Sequence, residues 1–346
     1  LNKKRITSLG LVAALIVSFF VSINIGSVSI SFDQFISLLT NKFTGQENPT
    51  ELFQQNAILW GIRLPRVLMS LFIGSSLALC GAALQGLFRN PLADPTIIGI
   101  SSGAMLAAAI VIVLAGDTLF SSYSFAGLSL LSVATFVGAI VVIVFIFRIA
   151  KEGKKINVMT MLLSGIAINA VAAAGTGLLT YLANDVQLRT LTFWTMGSLG
   201  GSTWYNVLIV GACTILTLIF ILPLHKQFNA LALGEQEAAY IGINTEKLKR
   251  RVVIFTALSV GTAVAFCGMI GFVGLVVPHI LRLVGGSDHR FLLPTSALAG
   301  ALLLCWADNF SRTIVAPAEI PIGIITALAG APIFLYLLLK QKKSTF

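Results

Sequence analysis

Charge is what this sequence has least of. Of its 346 residues only 10% are Asp, Glu, Lys or Arg, against roughly 25% in an ordinary soluble domain. Hydrophobic residues make up 57% and the mean hydropathy is +0.94, so a soluble globular fold is excluded. Chemistry-bearing side chains are equally thin. The four cysteines, Cys80, Cys213, Cys267 and Cys305, stand singly in apolar stretches, without a CxxC or Cys/His cluster, so no disulfide framework or metal site is indicated. The three histidines, His225, His279 and His289, are too scattered for a ligand set. There is no HExxH, no nucleophile elbow and no GxxxxGK[ST] phosphate loop. No catalytic residue is nominated, and the chain is not expected to hydrolyse anything or to bind a cofactor or metal itself. Ionisable groups are also scarce inside the apolar runs: Asn169 is uncharged and Asp308 is within i,i+4 reach of Arg312. An ion-driven secondary transporter usually keeps such groups near the bilayer midplane, so that rival class is disfavoured.

What the chain has instead is long apolar runs. A membrane-crossing helix needs about 20 mostly apolar residues. Runs of that kind fall at 7–27, 67–87, 95–115, 126–147, 158–182, 203–223, 252–270, 271–284, 291–314 and 321–340, the eighth being short. With no Pro/Ser/Gly-rich linker between them, residues 1–346 read as a single all-α membrane domain, a bundle of about ten spans in the lipid bilayer. The first run follows Lys3-Lys4-Arg5 but lacks an A-x-A site after it, and is expected to be retained as a helix. An even count with the N-terminus in the cytoplasm puts 18 of the 23 Lys and Arg on the cytoplasmic side and leaves Lys42, Arg63, Arg66, Arg189 and Arg312 outside. The C-terminal "LLLKQKK" is then cytoplasmic too. The positive-inside bias also accounts for the net charge of +10 without nucleic acid.

Three stretches carry local signals. In "RNPLADPTIIGISSGAM", Asp94 as an N-cap and Pro95 at the first helical position predict a helix beginning at Pro95. Gly99 and Gly103 form a GxxxG spacing that allows close helix packing. "GEQEAAYIG", between Gly234 and Gly242, reads as a short cytoplasmic helix with Glu235 and Glu237 at its positive end; it suits either a groove on a partner protein or a plain connecting loop. In "WGIRLPRVL", Arg63 and Arg66 lie on the side where cations are rare, with Arg312 at the end of another span. Snorkelling to lipid headgroups and a patch that pairs with a partner's carboxylates both fit that spacing.

Jointly, "RLPRVLMSLFIGSSLALCGAALQGLFRNPLADPTIIGISSGA", "FWTMGSLGG", "NALALGEQEAAYIGI", "GMIGFVGLVVPHILRLVGGSDHRFLLPTSALAGA" and "AEIPIGIITALAGAPIFLYLLLK" resemble the FecCD-type permease family. These are the membrane subunits of ATP-binding-cassette importers for ferric siderophores, haem and cobalamin. The resemblance covers most of the chain from residue 60 onward. It implies a type II importer permease in a bacterial cytoplasmic membrane, paired with a second permease subunit, identical or paralogous, and resting on two cytoplasmic ATPases where ATP and Mg bind. Arg63, Arg66 and Arg312 would dock an extracytoplasmic substrate-binding protein. Residues 229–242 would carry the coupling helix, with Leu233, Gly234, Glu235, Glu237, Ala238 and Gly242 as contacts to the ATPase. Ser164, Asn169 and Thr326 are the residues it nominates for the translocation path. "KEGKKINVM" lacks the small hydroxyl pair of the cobalamin member's gate, with Thr160 nearby. The commonest cargo of the family makes a ferric siderophore the expected one.

Overall fold

A computed structural model describes residues 3–26, 28, 30–46, 49, 52–115, 124–125, 128–153 and 155–343. Its helices are α1 (Lys3–Asn24), α2 (Phe32–Thr44), α3 (Phe53–Leu87), α4 (Ile100–Leu114), α5 (Leu130–Ile149), α6 (Val158–Leu182), α7 (Asp185–Met196), α8 (Trp204–Leu231), α9 (Glu235–Tyr240), α10 (Thr245–Cys267), α11 (Val273–Gly285), α12 (His289–Thr313) and α13 (Ile322–Lys343). Two antiparallel ladders of two residues per strand accompany them, β1 (Ser124–Phe125) with β2 (Leu128–Ser129) and β3 (Lys151–Glu152) with β4 (Lys155–Ile156). Residues 27, 126 and 127, at the edges of two expected spans, and Lys154 of the basic loop lie outside the described residues.

Among the described residues seven helices, α1, α3, α5, α6, α8, α10 and α12, are long and apolar enough to cross a membrane; α4, α11 and α13 are shorter apolar helices. Together they correspond to the ten runs in the sequence. α11 has 13 residues, about 20 Å at 1.5 Å per residue, short of the ~30 Å hydrocarbon core. It packs on α3, α12 and α13, which lets a short helix sit at membrane depth inside protein.

α3 is the central post: most of its side chains from Leu64 onward are buried. Glycine makes the tight crossings around it possible. A Cβ built on Gly74 would lie 2.2 Å from the Gly300 carbonyl oxygen, and one on Gly81 would lie 2.0 Å from that of Gly274, so α12 and α11 meet α3 backbone to backbone. Gly103 makes the same approach to Gly138, 2.5 Å from its oxygen, which gives the GxxxG spacing on α4 its packing role against α5.

The structure departs from the sequence-based expectation in three places. The helix expected at Pro95 begins at Ile100: Asp94 Oδ1 accepts from the Thr96 N–H at 2.9 Å, as expected of a cap, but the chain closes turns at Ile97 and Gly99 instead, and Gly99 is left-handed at φ 78°. An aspartate with a following proline starts an Asx turn as readily as a helix. The second span does not start at residue 67. α3 runs unbroken from Phe53, with a π-turn over Leu59–Arg63 in which Leu64 N–H bonds to the Leu59 carbonyl. Pro65 has no N–H and its ring would crowd the carbonyl four residues back; the wider turn relieves that conflict. α2 and α7, which no long apolar run announces, are capped by Ser31 with Gln34 and by Asn184 with Gln187, each pair forming a capping box.

Candidate functional site

At one end of the bundle the three arginines of interest converge, and they do so inside the protein. Arg63 and Arg66 are 3% and 5% exposed. Four successive carbonyls at the end of α1 receive guanidinium N–H groups: Ser22 and Ile25 from Arg312 at 2.6 and 3.0 Å, Ile23 and Asn24 from Arg63 at 2.7 and 3.3 Å. Arg63 also donates to the Val28 carbonyl. The last carbonyls of a helix have no partner within it and carry its negative end, so two cations there satisfy both demands. A Cβ on Gly26 would stand 2.5 Å from Arg63 Nη2, so a larger residue there would displace the guanidinium from these carbonyls. Arg66 turns the other way. Its Nε donates to Asp308 Oδ1 at 2.9 Å and its Nη1 to Glu319 Oε1 at 2.7 Å; Asp308 is buried and Glu319 is partly exposed. Asp308 Oδ2 lies 3.6 Å from Arg312 Nε, so the anticipated i,i+4 pair exists but is shared with Arg66. Trp204 donates to the Trp60 carbonyl one turn before Arg63 at 2.7 Å, an aromatic level of the kind found at a membrane surface.

At the opposite end lies the short helix. Lys4 meets Asp288 at 3.5 Å, and Asp288 accepts from Asn229 Nδ2 at 2.8 Å, joining the start of α1 and the loop before α12 to the end of α8. The bond from Asn229 and the Arg290 N–H hold the Asp288 carboxyl below the usual carboxylate range. From there α9 spans Glu235–Tyr240, as the glycine-bounded stretch predicted. Gly242 stops it in the left-handed region at φ 85°, with Ile243 N–H on the Ala238 carbonyl and Gly242 N–H on that of Ala239, both at 3.0 Å; this is a Schellman closure. Ala238 is fully buried while Leu233, Tyr240 and Ile241 are 75%, 88% and 65% exposed. Apolar side chains at the last turn of this six-residue helix and on either side of it are thus displayed away from the bundle.

What holds this helix escaped the sequence reading. Lys249 is 3% exposed and binds Glu235 of α9, Glu246 at 2.9 Å and the Ile156 carbonyl at 2.9 Å. Glu246 also accepts the Ile156 N–H at 2.8 Å. One ammonium therefore ties α9 to β4, two residues before α6 begins. In a basic run, "EKLKRR", nothing marks Lys249 from its neighbours.

The three path candidates are dispersed. Ser164 is half-buried on α6. Asn169 Oδ1 accepts from Ser102 at 2.6 Å and its Nδ2 donates to the Thr96 carbonyl at 3.1 Å, fastening α6 to the turn before α4. Thr326 is 2% exposed and donates to the Gly323 carbonyl at 3.1 Å. A separate cavity of about 470 Å³ opens beside the end of α3, lined in part by Arg89, Asn90, His279, Arg282 and His289, with no carboxylate in its wall. Arg89 is left-handed at φ 49°, a conformation that costs a residue with a Cβ. Arg282 Nη1 and His289 Nε2 are buried without hydrogen-bond partners among the described residues. Metal-type clusters of three or more His, Cys, Asp or Glu are absent among the described residues.

Residues 14–340 match the FecCD transport family. The chain belongs to that family. Among FecCD relatives it is 43% identical over 323 residues to the hemin transport system permease protein HmuU of Yersinia pestis, covering 93% of this chain and 92% of the relative. It is 41% identical over 285 residues to the vitamin B12 import system permease protein BtuC of Salmonella arizonae, covering 82% of this chain and 84% of the relative. A solved structure presented as an inward-facing ABC transporter of metal-chelate type superposes with a TM-score of 0.82 at 32% identity, covering 96% of this chain and 98% of that one. The FecCD subunit is therefore an ABC importer permease with the type II transmembrane fold. In it Glu319, Glu246 and Lys249, and the bond from Arg66 to Asp308, are the parts of the site that sequence reasoning did not assemble.

Proposed function

We propose that this chain is the membrane subunit of a metal-chelate importer in a bacterial cytoplasmic membrane, with haem as the cargo. It would act beside a second permease subunit, two cytoplasmic ATPases that bind ATP and Mg, and an extracytoplasmic binding protein. Both termini and α9 would face the cytoplasm. The observation that carries the cargo is the carboxylate-free cavity lined by Arg89 and Arg282. Its size is within the range of small-molecule sites, and its unpartnered guanidinium nitrogen suits the two carboxylates of a haem. Support also comes from the haem relative, matched along nearly its whole length. Cobalamin is a second reading, supported by the B12 relative; a ferric siderophore, expected from the sequence, shares the metal-chelate class of the structural neighbour.

The mechanism follows from the two ends. Outside, an arriving binding protein would place a carboxylate on Arg66 Nη1 in exchange for Glu319, the exposed one of its two acids; Arg63 and Arg312 would keep α1 closed while this happens. Inside, Leu233, Gly234, Glu235, Glu237, Ala238 and Gly242 form the segment that an ATPase would grip, through the exposed Leu233, Tyr240 and Ile241 at and beside α9, with Ala238 buried beneath them. Motion of α9 would reach β4 and the start of α6 through Lys249, and Ser164 on α6 would then line the path. Asn169 would fasten α6 to Ser102 and to the turn before α4, and Thr326, bonded within its own helix, would line the path from α13. The reading is tested by replacing Arg89 and Arg282 with Ala. Haem uptake should fall at least tenfold while ATPase assembly persists; unchanged haem uptake would remove the cavity from the argument.

A further inference from the structure

Between α5 and α10, at the same end of the bundle as α9, runs a groove of about 480 Å³ whose wall is mostly apolar. Ile140, Val144 and Phe147 line it from α5, at the i, i+4 and i+7 spacing of one helix face, and Ile254 lines it from α10. Val144 and Ile254 are 44% and 53% exposed, so no described residue of this subunit covers them. The mouth is formed by Arg148, Lys151 and Arg250. Among the described residues no carboxylate lines the groove. None of the three cations has a hydrogen bond or ion pair among the described residues, whereas Lys249, next in the chain to Arg250, holds two carboxylates.

A free anion would need only the mouth. From Arg148 to Ile140 the apolar lining continues for eight residues, about 12 Å, between two helices that are each long enough to cross a membrane. Three unpaired cations at one end of an apolar trough fit one kind of molecule, an amphiphile with an anionic head. We propose that this groove binds an anionic phospholipid, its phosphate held by Arg148, Lys151 and Arg250 and the upper part of an acyl chain lying along Ile140, Val144, Phe147 and Ile254. The position has a consequence. Lys151 belongs to β3, paired with β4, and Lys249 binds β4 through Ile156. A bound lipid therefore steadies the strand pair through which α9 is joined to α6, and anionic lipid supports coupling. The binding itself depends only on the chain lying in a bilayer and is independent of the cargo.

The test uses the full chain in nanodiscs of phosphatidylcholine into which phosphatidylglycerol is titrated, with retained lipid counted by native mass spectrometry. Each charge near the surface is worth about 1 kcal/mol, roughly fivefold in affinity. R148Q with K151Q and R250Q should weaken phosphatidylglycerol retention about a hundredfold. The same charge change at K226Q, K247Q and R290Q should leave retention within about twofold. Filling the trough with V144W and I254W should also reduce retention with the mouth intact. Equal losses in the two triple variants, or equal retention of the two lipids by the unaltered chain, overturn the proposal. So does a mouth variant that sheds its ATPase while keeping its phosphatidylglycerol, because the surface would then belong to a protein. The preference of the unaltered chain for phosphatidylglycerol should shrink between 0.15 and 1 M salt, a readout that needs no variant to fold.

Discussion

Arg66 and Asp308, 242 positions apart in the chain, are joined by a 2.9 Å bond between Nε and Oδ1 inside the bundle. Both side chains are almost wholly removed from solvent. The pair locks α3 to α12 at the end where α1 terminates, and it makes Arg66 a structural residue first. Its second acid, Glu319, is the replaceable one, because water already reaches it.

Removing one partner of a buried ion pair leaves a charge without compensation, which costs about 3–5 kcal/mol. Asp308→Asn should therefore lower the thermal midpoint of the detergent-solubilised subunit clearly. Glu319→Gln should change it little and should instead alter affinity for the binding protein. Equal midpoints for the two variants would mean that burial of Asp308 contributes nothing to the fold.

The α1 carbonyls give a separate expectation for Arg63 and Arg312. Arg312→Ala leaves the Ser22 and Ile25 carbonyls without those donors, at about 1–3 kcal/mol for each buried group left unsatisfied. Hydrogen exchange should accelerate over the last turn of α1 and leave α9 unaffected. If exchange stays slow there and only docking weakens, the arginines serve the partner and not the helix.

Lys249→Met keeps most of the volume and removes the ammonium. Glu235, Glu246 and the Ile156 carbonyl then lose their common partner, so α9 moves independently of α6. ATP hydrolysis by the assembled transporter should continue at a comparable rate while uptake per ATP falls at least tenfold. Parallel loss of both would indicate a general folding defect, which circular dichroism would register.

For the displayed helix, Leu233→Glu with Tyr240→Ala changes two residues that are 75% and 88% exposed. Surface changes of this kind shift stability by about 0.5 kcal/mol or less. The midpoint should hold and co-purification of the ATPase should fail. Retained ATPase would reduce α9 to a connector.

Much of this was legible in the sequence because it rests on local pattern. Ten apolar runs became the ten apolar helices, and glycines 234 and 242 marked the ends of α9. Asp308 and Arg312 were within reach by spacing alone. What stayed hidden depends on partners distant in the chain. The carbonyls that accept from Arg63 and Arg312 lie at and just beyond the end of α1 and carry no side-chain signature. Glu319 reaches Arg66 across 253 positions, and Lys249 is buried amid basic residues that composition assigns to solvent. The Asp94-Pro95 start failed for another reason: an Asx turn and an N-cap share the same hydrogen bond, and the left-handed Gly99 decides between them. The rules for apolar runs likewise missed α2 and α7, whose capping boxes were readable but lie outside long hydrophobic stretches.

In the proposed function this FecCD subunit would pass a haem-type metal chelate inward at the expense of ATP bound on partner chains. Proteoliposomes containing the permease with its ATPase, loaded with ATP and Mg and given binding protein outside, measure it directly when haem, cobalamin and a ferric siderophore are offered in turn. Accumulation of haem that exceeds the other two and stops without ATP is the predicted result. Haem uptake that persists without the ATPase, or ATP-driven uptake of cobalamin or the siderophore with none of haem, would contradict the account.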